Sequence, residues 1–134
     1  MVCIQCGQKT QVINSRLQKR HNQTWRRRQC SACHIIFSTN ESVDYGAVWA
    51  VRQSSGAITP FHRDKLLLSI YKSCQHRPNA LTEASDLTDT VTDKLRILAS
   101  DGQLSVKQIA QTVVVALNRF DKAASVHYLA FHKA

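Results

Sequence analysis

The sequence has few acidic residues and no long apolar segment. Of its 134 residues, nine are Asp or Glu and eighteen are Lys or Arg, which gives a net charge of +9. The longest wholly apolar run covers residues 113–117 and is far shorter than the ~20 residues that a membrane-spanning helix needs. We therefore expect no contact with a membrane, and the excess of positive charge favours a polyanionic partner.

Motifs of catalysis are also missing. There is no Gly-rich loop that ends in Gly-Lys-Ser/Thr, and no Ser/His/Asp or Cys/His set stands at a recognisable spacing. The chain opens with Met-Val-Cys, without the charged and apolar segments of a secretory signal. We therefore expect a non-enzymatic protein of the cytoplasm, where cysteines stay reduced.

Four of the five cysteines form two pairs with the same short spacing. Cys3 and Cys6 make one Cys-x-x-Cys pair, and Cys30 and Cys33 make the other after 23 intervening residues. Such a turn holds two sulfur atoms about 3.7 Å apart, which is one edge of a tetrahedron of sulfur around zinc. The doubled pattern predicts a zinc ribbon with one structural Zn²⁺, because thiolates fill all four coordination positions.

Other chemistries use the same residues. Disulfides are disfavoured because they need an oxidising compartment, and a redox dithiol is disfavoured because it would follow a strand in a βαβ unit. An iron–sulfur cluster also takes four thiolates and remains an alternative to zinc. His21 and His34 are further candidate ligands, although either would break the symmetry of the pairs. Gly7 and His34 each follow the second cysteine of a pair, where a positive φ lets backbone amides point at sulfur.

The ribbon carries a cluster of cations. Residues 10–14, 24–29 and 35–38 are typical of short strands, and residues 17–23 of a polar turn. The second strand contains Trp25 followed by three arginines. Since side chains alternate along a strand, Arg26 and Arg28 share one face while Trp25 and Arg27 share the other.

These cations predict contact with nucleic acid rather than a solvated charge run, since the neighbouring sequence offers no neutralising acid. Arginine forks match phosphate oxygens and the O6/N7 edge of guanine, while for Trp25 we expect packing. The candidate DNA contacts are Arg16, Lys19, Arg26, Arg27 and Arg28.

The composition becomes apolar and helical near residue 46, which predicts domains 1–46 and 47–134. Apolar residues at 48–51 and 58 flank a turn at Ser55-Gly56 and predict a hairpin. Helical periodicity then predicts four helices, of which the third starts with a capping box at Ser105 and Gln108 and the fourth is capped by Asp121. The fold class is α+β: a three-stranded ribbon, then a four-helix domain capped by a small sheet.

The order of these pieces resembles the NrdR family, bacterial repressors of ribonucleotide reductase genes in which a zinc ribbon precedes an ATP-cone domain. Asn14-Ser-Arg16 is similar to the family's Asp-Ser-Arg, Trp25-Arg-Arg-Arg-Gln-Cys30 to Arg-Arg-Arg-Arg-Glu-Cys, and Phe37-Ser-Thr-Asn-Glu41 to Phe-Thr-Thr-Tyr-Glu. In the second domain, Pro60-Phe-His-Arg-Asp-Lys-Leu66 is similar to Pro-Phe-Asp-Arg-Glu-Lys-Leu, and His76-Arg-Pro78 to Lys-Arg-Pro.

The resemblance implies a repressor that binds double-stranded operator DNA through the ribbon and ATP or dATP, as an allosteric ligand, through the cone. It also implies a homo-oligomer, a dimer or higher, that depends on the nucleotide, and association with the nucleoid when DNA is bound. The candidate nucleotide-binding residues are Arg52, Gln53, Gly56, Lys65 and Arg77.

The chain departs from the family at Gln53 and Ser54, where ATP cones carry a Lys-Arg pair that helps to hold phosphates. Lys65 and Arg77 remain as candidates for binding phosphate, although each can equally be interpreted as a surface charge. Arg52 is one residue away from the position of the family's Lys-Arg pair, which places it on the opposite face of the strand. The departures leave two alternatives: a zinc-ribbon adaptor, or an RNA-binding protein, whose cone no longer binds nucleotide.

Overall fold

The computed structural model describes residues 1–134 and divides them into two compact units, Met1–Val43 and Asp44–Ala134. Composition predicts a boundary three residues further along the chain. The division falls earlier because Asp44 caps a short helix, α1 (Tyr45–Val48), by accepting a hydrogen bond from the Gly46 amide. Tyr45 then packs against the core of the second unit.

The first unit is an antiparallel sheet of three strands in the order β1 (Thr10–Gln18), β2 (Gln23–Cys30) and β3 (Ile36–Glu41). All three strands extend beyond the predicted bounds. The polar turn predicted for residues 17–23 shrinks to a 3₁₀ turn, Lys19–His21, because cross-strand pairing continues down to Gln18 opposite Gln23.

This sheet has almost no apolar core of its own. Among residues 1–43, Cys3 and Cys30 are the only ones that are buried. So little buried apolar surface cannot offset the conformational entropy of ordering the chain. The stability of the first unit must therefore come largely from what its cysteines bind.

The second unit has a small mixed sheet. Strands β4 (Ala50–Arg52) and β5 (Ile58–Pro60) form the predicted hairpin, with Gly56 at a positive φ in the turn. A third strand, β6 (Gln103–Ser105), lies parallel to β4 and was not predicted. Three residues with one buried side chain, Leu104, are too short a stretch for alternation to reveal.

Four long helices complete this unit: α2 (Arg63–Cys74), α3 (Ala80–Leu98), α4 (Val106–Phe120) and α5 (Lys122–Phe131). The predicted caps are confirmed. Ser105 and Gln108 form a reciprocal capping box at α4, and Asp121 accepts a hydrogen bond from the Ala124 amide at α5. The α+β fold class is confirmed, with the short α1 as an addition.

The helices and the sheet of the second unit share one core. Its largest fully buried side chains include Ile70, Leu95 and Leu117, from three different helices. Cys74 is also fully buried there, and burial raises the pKa of its thiol. A protonated, enclosed thiol is unreactive, so Cys74 serves packing.

Candidate metal, nucleic-acid and nucleotide sites

The four paired cysteines converge on one point. Their sulfur atoms all lie within 4.8 Å of one another. The Sγ atoms of Cys3 and Cys33 are 3.6 Å apart, and those of Cys6 and Cys30 are 3.5 Å apart. These separations are close to the edge of about 3.7 Å of a zinc–sulfur tetrahedron, so the residues fit a zinc ion with four thiolate ligands. Neither candidate histidine belongs to the cluster.

Two left-handed residues shape the turns around the sulfur atoms. Gly7 has a φ of 74° and His34 a φ of 62°, which confirms the predicted positive φ after the second cysteine of each pair. Glycine adopts this conformation freely, and histidine tolerates it better than most other residues.

Backbone amides point at the sulfur of Cys30. The amides of Cys33 and Ala32 each donate to its Sγ at 3.4 Å. The Cys33 amide, and secondarily the Ala32 amide, lower the pKa of Cys30 to about 6 although the side chain is fully buried. The second turn therefore favours the thiolate of Cys30, and the thiolate is the form that binds a metal.

The three consecutive arginines of β2 do not share one environment. Arg27 is exposed, whereas Arg26 and Arg28 are half-buried. The expectation that no acid neutralises the run is wrong for Arg26, which forms an ion pair with Glu41. The sequence separates these two residues, but antiparallel pairing of β2 with β3 brings them together.

Arg28 and Trp25 make further contacts within the sheet. Nη1 of Arg28 donates to Oγ1 of Thr10 at 3.4 Å, and its Nε is buried without a partner. Trp25 lies opposite Arg16, whose guanidinium carbon is 5.9 Å from the centre of the indole ring. This cation–π contact agrees with the predicted packing role of Trp25. Lys19 is exposed in the turn between β1 and β2.

The second unit contains a cavity of about 940 Å³ between the β4–β5 hairpin, α2, the start of α4 and the end of α5. Three lysine side chains line it, and no Asp or Glu side chain does. The sequence singles out Lys65 as a nucleotide candidate but not Lys107 or Lys133. Each is an isolated lysine near a helix end, and only the packing of α5 against α2 and α4 brings them to one cavity.

Comparison with known proteins places both units in named families. Residues 1–41 match the family model described as the transcriptional repressor NrdR-like, N-terminal domain, and residues 50–133 match the ATP cone domain. The chain belongs to the NrdR family. The transcriptional repressor NrdR of Symbiobacterium thermophilum is 32% identical to it over 133 residues, which cover 99% of this chain and 87% of that protein.

Other members of the family are as similar. The transcriptional repressor NrdR of Syntrophotalea carbinolica is 31% identical over 134 residues, covering 99% of this chain and 84% of that protein. The role that these NrdR names state is regulatory rather than enzymatic. No helix of the structure combines the length and apolarity that crossing a membrane requires.

In this NrdR-family chain the candidate nucleotide residues divide between the cavity and other places. Gln53 and Lys65 line the cavity, as does Ser54. The side-chain amide of Gln53 donates to Oγ1 of Thr59 at 2.9 Å and so stays on the hairpin. Arg52 and Gly56 lie outside the lining.

Arg77 also lies away from the cavity lining, in a cluster of its own. Its Nε donates to Glu83 at 2.6 Å, and its Nη1 donates to Asp121 at 3.0 Å. The guanidinium carbon lies 4.4 Å from the centre of the Phe120 ring. The hydrogen bonds that Arg77 donates to Glu83 and then to Asp121 raise its pKa above its usual value. Arg77 thus ties the α2–α3 turn to the α4–α5 junction.

Proposed function

We propose that the protein is a zinc-dependent repressor of ribonucleotide reductase genes that binds operator DNA with its first unit and ATP or dATP with its second. The observation that carries the proposal is the convergence of four thiolates on a sheet that presents exposed cations. One structural zinc per chain would clip the two turns together and hold β2 rigid, because the unit lacks an apolar core.

The charge of the first unit supports duplex DNA as its partner. Residues 1–43 contain seven Lys or Arg and a single acid, Glu41, which Arg26 neutralises. Exposed cations remain on β1, β2 and the intervening turn, among them Arg16, Lys19 and Arg27. A rigid sheet with this charge suits the phosphate backbone, which dominates affinity for DNA.

The cavity of the second unit supports an anionic ligand with an aromatic part. Its volume lies within the range of about 300–1,000 Å³ that small-molecule sites occupy. Lys65, Lys107 and Lys133 supply positive charge for phosphates, while Phe61 and Ile109 offer apolar surface for a base. Lys107 and Lys133 would thereby replace the charge that the family's Lys-Arg pair provides and that Gln53 and Ser54 lack.

Binding at these two sites would be linked through assembly. A ligand changes DNA affinity only if it prefers one of two global states, and different homo-oligomers, dimeric or larger, provide such states. We propose that binding of ATP or dATP changes the oligomeric state and that one of the resulting oligomers binds the operator. The protein would then act in the cytoplasm, associated with the nucleoid when bound to DNA.

The deciding experiment titrates ATP and dATP into the zinc-loaded full chain and follows binding heat and particle mass together. We expect saturable binding and a change of mass, with Lys107→Gln weakening binding. Lys122→Gln is the matched control, because Lys122 is exposed at the start of α5 and does not line the cavity. If neither nucleotide binds, the second unit is not a nucleotide sensor, and the result supports the alternative of a zinc-ribbon adaptor.

A second arm tests the nucleic acid. Duplex DNA and structured RNA are compared at matched salt, with wild-type protein and Lys19→Gln. Loss of one phosphate contact should lower affinity on all duplex sequences and reduce the salt slope by about one unit. Tighter binding to RNA than to any duplex would support the RNA-binding alternative.

A further inference from the structure

The sheet of the first unit has two chemically different faces. In antiparallel pairs, directly opposed residues project to the same side. Two cross-strand rows therefore share one side, Arg16 opposite Trp25 opposite Asn40, and Asn14 opposite Arg27 opposite Ser38. We name the part of this side that these two rows form the open face; it consists of Asn14, Arg16, Trp25, Arg27, Ser38 and Asn40.

The open face is the solvent-exposed side of the sheet. All of its members are exposed except Trp25, which is half-buried. The opposite side holds Arg26 and Arg28, and on β3 it holds Phe37 and Thr39, all of which are half-buried. Burial alternates from Arg26 to Arg28 along β2 and from Ile36 to Asn40 along β3, whereas β1 is exposed on both sides beyond Thr10. We name the side that holds Arg26 and Arg28 the packed side.

The arginines of the packed side are already engaged. Arg26 pairs with Glu41, and Arg28 places its Nε in a buried position and its Nη1 against Thr10. Moving either side chain toward DNA would break these contacts. Arg27, by contrast, is the exposed member of the run and has a carboxamide neighbour, Asn14, directly opposite.

The open face carries the side chains that distinguish base pairs. Arginine can bond bidentately to O6 and N7 of guanine, and asparagine to N6 and N7 of adenine. Neighbouring strands lie about 4.8 Å apart, so two of them fit the major groove, which is about 12 Å wide. The face has no carboxylate that would repel phosphates. The guanidinium of Arg16 lies over the indole of Trp25 in a cation–π contact, with its central carbon 5.9 Å from the ring centre.

We infer that the open face reads base edges in the major groove, with Arg16 and Arg27 as specificity-determining residues and Trp25 as the positioning residue of Arg16. Arg26 and Arg28 hold the sheet and contribute charge without reading bases. This inference rests on the proposed binding of DNA by the first unit. Of the three consecutive arginines, it assigns base recognition to Arg27 and a structural role to Arg26 and Arg28.

The test is selection of duplexes from a random-sequence library by the zinc-loaded full chain, without nucleotide and with ATP or dATP. Wild-type protein should enrich a defined sequence. Arg27→Lys keeps the charge and loses the fork, so it should lower discrimination at the contacted base pair by about 5- to 150-fold while the salt slope stays unchanged. Arg26→Lys is the matched control on the packed side and should enrich the wild-type sequence.

Trp25 is tested through its effect on Arg16. Trp25→Leu should reduce discrimination at the same base pair as Arg16→Lys, and the double variant should lose no more than the larger single loss. Trp25→Phe keeps an aromatic ring beneath the guanidinium and should restore part of the discrimination. Zinc content and the circular dichroism spectrum of each variant verify that the sheet is folded.

The outcomes separate the inference from the function on which it rests. If wild-type protein selects a sequence and Arg27→Lys selects it equally well, the inference is wrong and the proposed function stands. The same holds if Arg26→Lys loses selection while Arg27→Lys keeps it. If wild-type protein binds all duplexes alike, the proposed recognition of an operator is refuted together with the inference. If wild-type protein binds no duplex under any of the nucleotide conditions, the proposed function itself is refuted.

Discussion

Ser105 joins the sheet of the second unit to one wall of its cavity, and its replacement by alanine has a calculable effect. It is the last residue of β6 and the N-cap of α4, whose next two residues line the cavity. Its Oγ accepts a hydrogen bond from the Gln108 amide at 3.1 Å, and its own amide donates to the Gln108 side chain at 2.8 Å. Ser105→Ala removes the first of these bonds and leaves an amide of the first turn without its acceptor.

The size of the loss follows from this geometry. Replacing a serine N-cap by alanine costs about 1 kcal/mol, within a range of about 0.5–2 kcal/mol. In a domain of this size 1 kcal/mol corresponds to a fall in Tm of roughly 4–8 °C. Ser105→Gly should cost only a few tenths of a kcal/mol, because glycine leaves the cap open to water.

Thermal unfolding followed by far-ultraviolet circular dichroism measures this effect, since the helices lie in the second unit. Ser100→Ala is the control, because Ser100 is exposed in the turn after α3. Gln108→Ala completes a double-mutant cycle that should reveal coupling between the two partners. If Ser105→Ala melts together with Ser100→Ala, the capping box does not stabilise α4 and the reasoning from its geometry fails.

Three further predictions concern the metal, acid and the core. Cys30→Ser should release zinc and unfold the first unit while the helices of the second remain, and metal content and circular dichroism check this. Hydrogen bonds from His76, then the Ala124 amide and Arg77, hold the pKa of Asp121 far below its usual value. Asp121 therefore stabilises the fold above its unfolded pKa of about 3.9, and stability should fall as the pH drops below that value. Asp121→Asn should flatten this acid limb in urea unfolding, and an unchanged limb would exclude Asp121 as its cause. Leu95→Ala, in a fully buried site, should cost about 2–5 kcal/mol in the same assay with an unchanged m-value.

The features that the sequence predicts well are those that short segments determine. Each Cys-x-x-Cys turn places its own sulfur atoms and demands a positive φ at the next residue, and Gly7 and His34 both meet that demand. The capping box at Ser105 needs only a residue three positions further on. Such features depend on local chain geometry, so one sequence suffices to find them.

The features that the sequence does not predict depend on long-range pairing. Glu41 neutralises Arg26 only because of the register of β3 on β2, and β6 exists only because β4 offers a parallel partner. Lys107 and Lys133 face one cavity only after α4 and α5 have packed. No local sequence pattern predicts these contacts, because each contact joins segments that are distant in the chain.

The lysines of the cavity also determine which elements a bound anion would connect. Lys65 lies on α2, Lys107 on α4 and Lys133 just beyond α5, so phosphates held by all three would fix these helices relative to one another. Arg77 and Asp121 already tie the α4–α5 junction to the turn after α2. Consider a contact that fixes α5 in the position it takes when nucleotide is bound. By thermodynamic linkage, the nucleotide strengthens this contact and the contact raises nucleotide affinity by the same factor. An oligomer interface that includes α5 would therefore be controlled from the cavity.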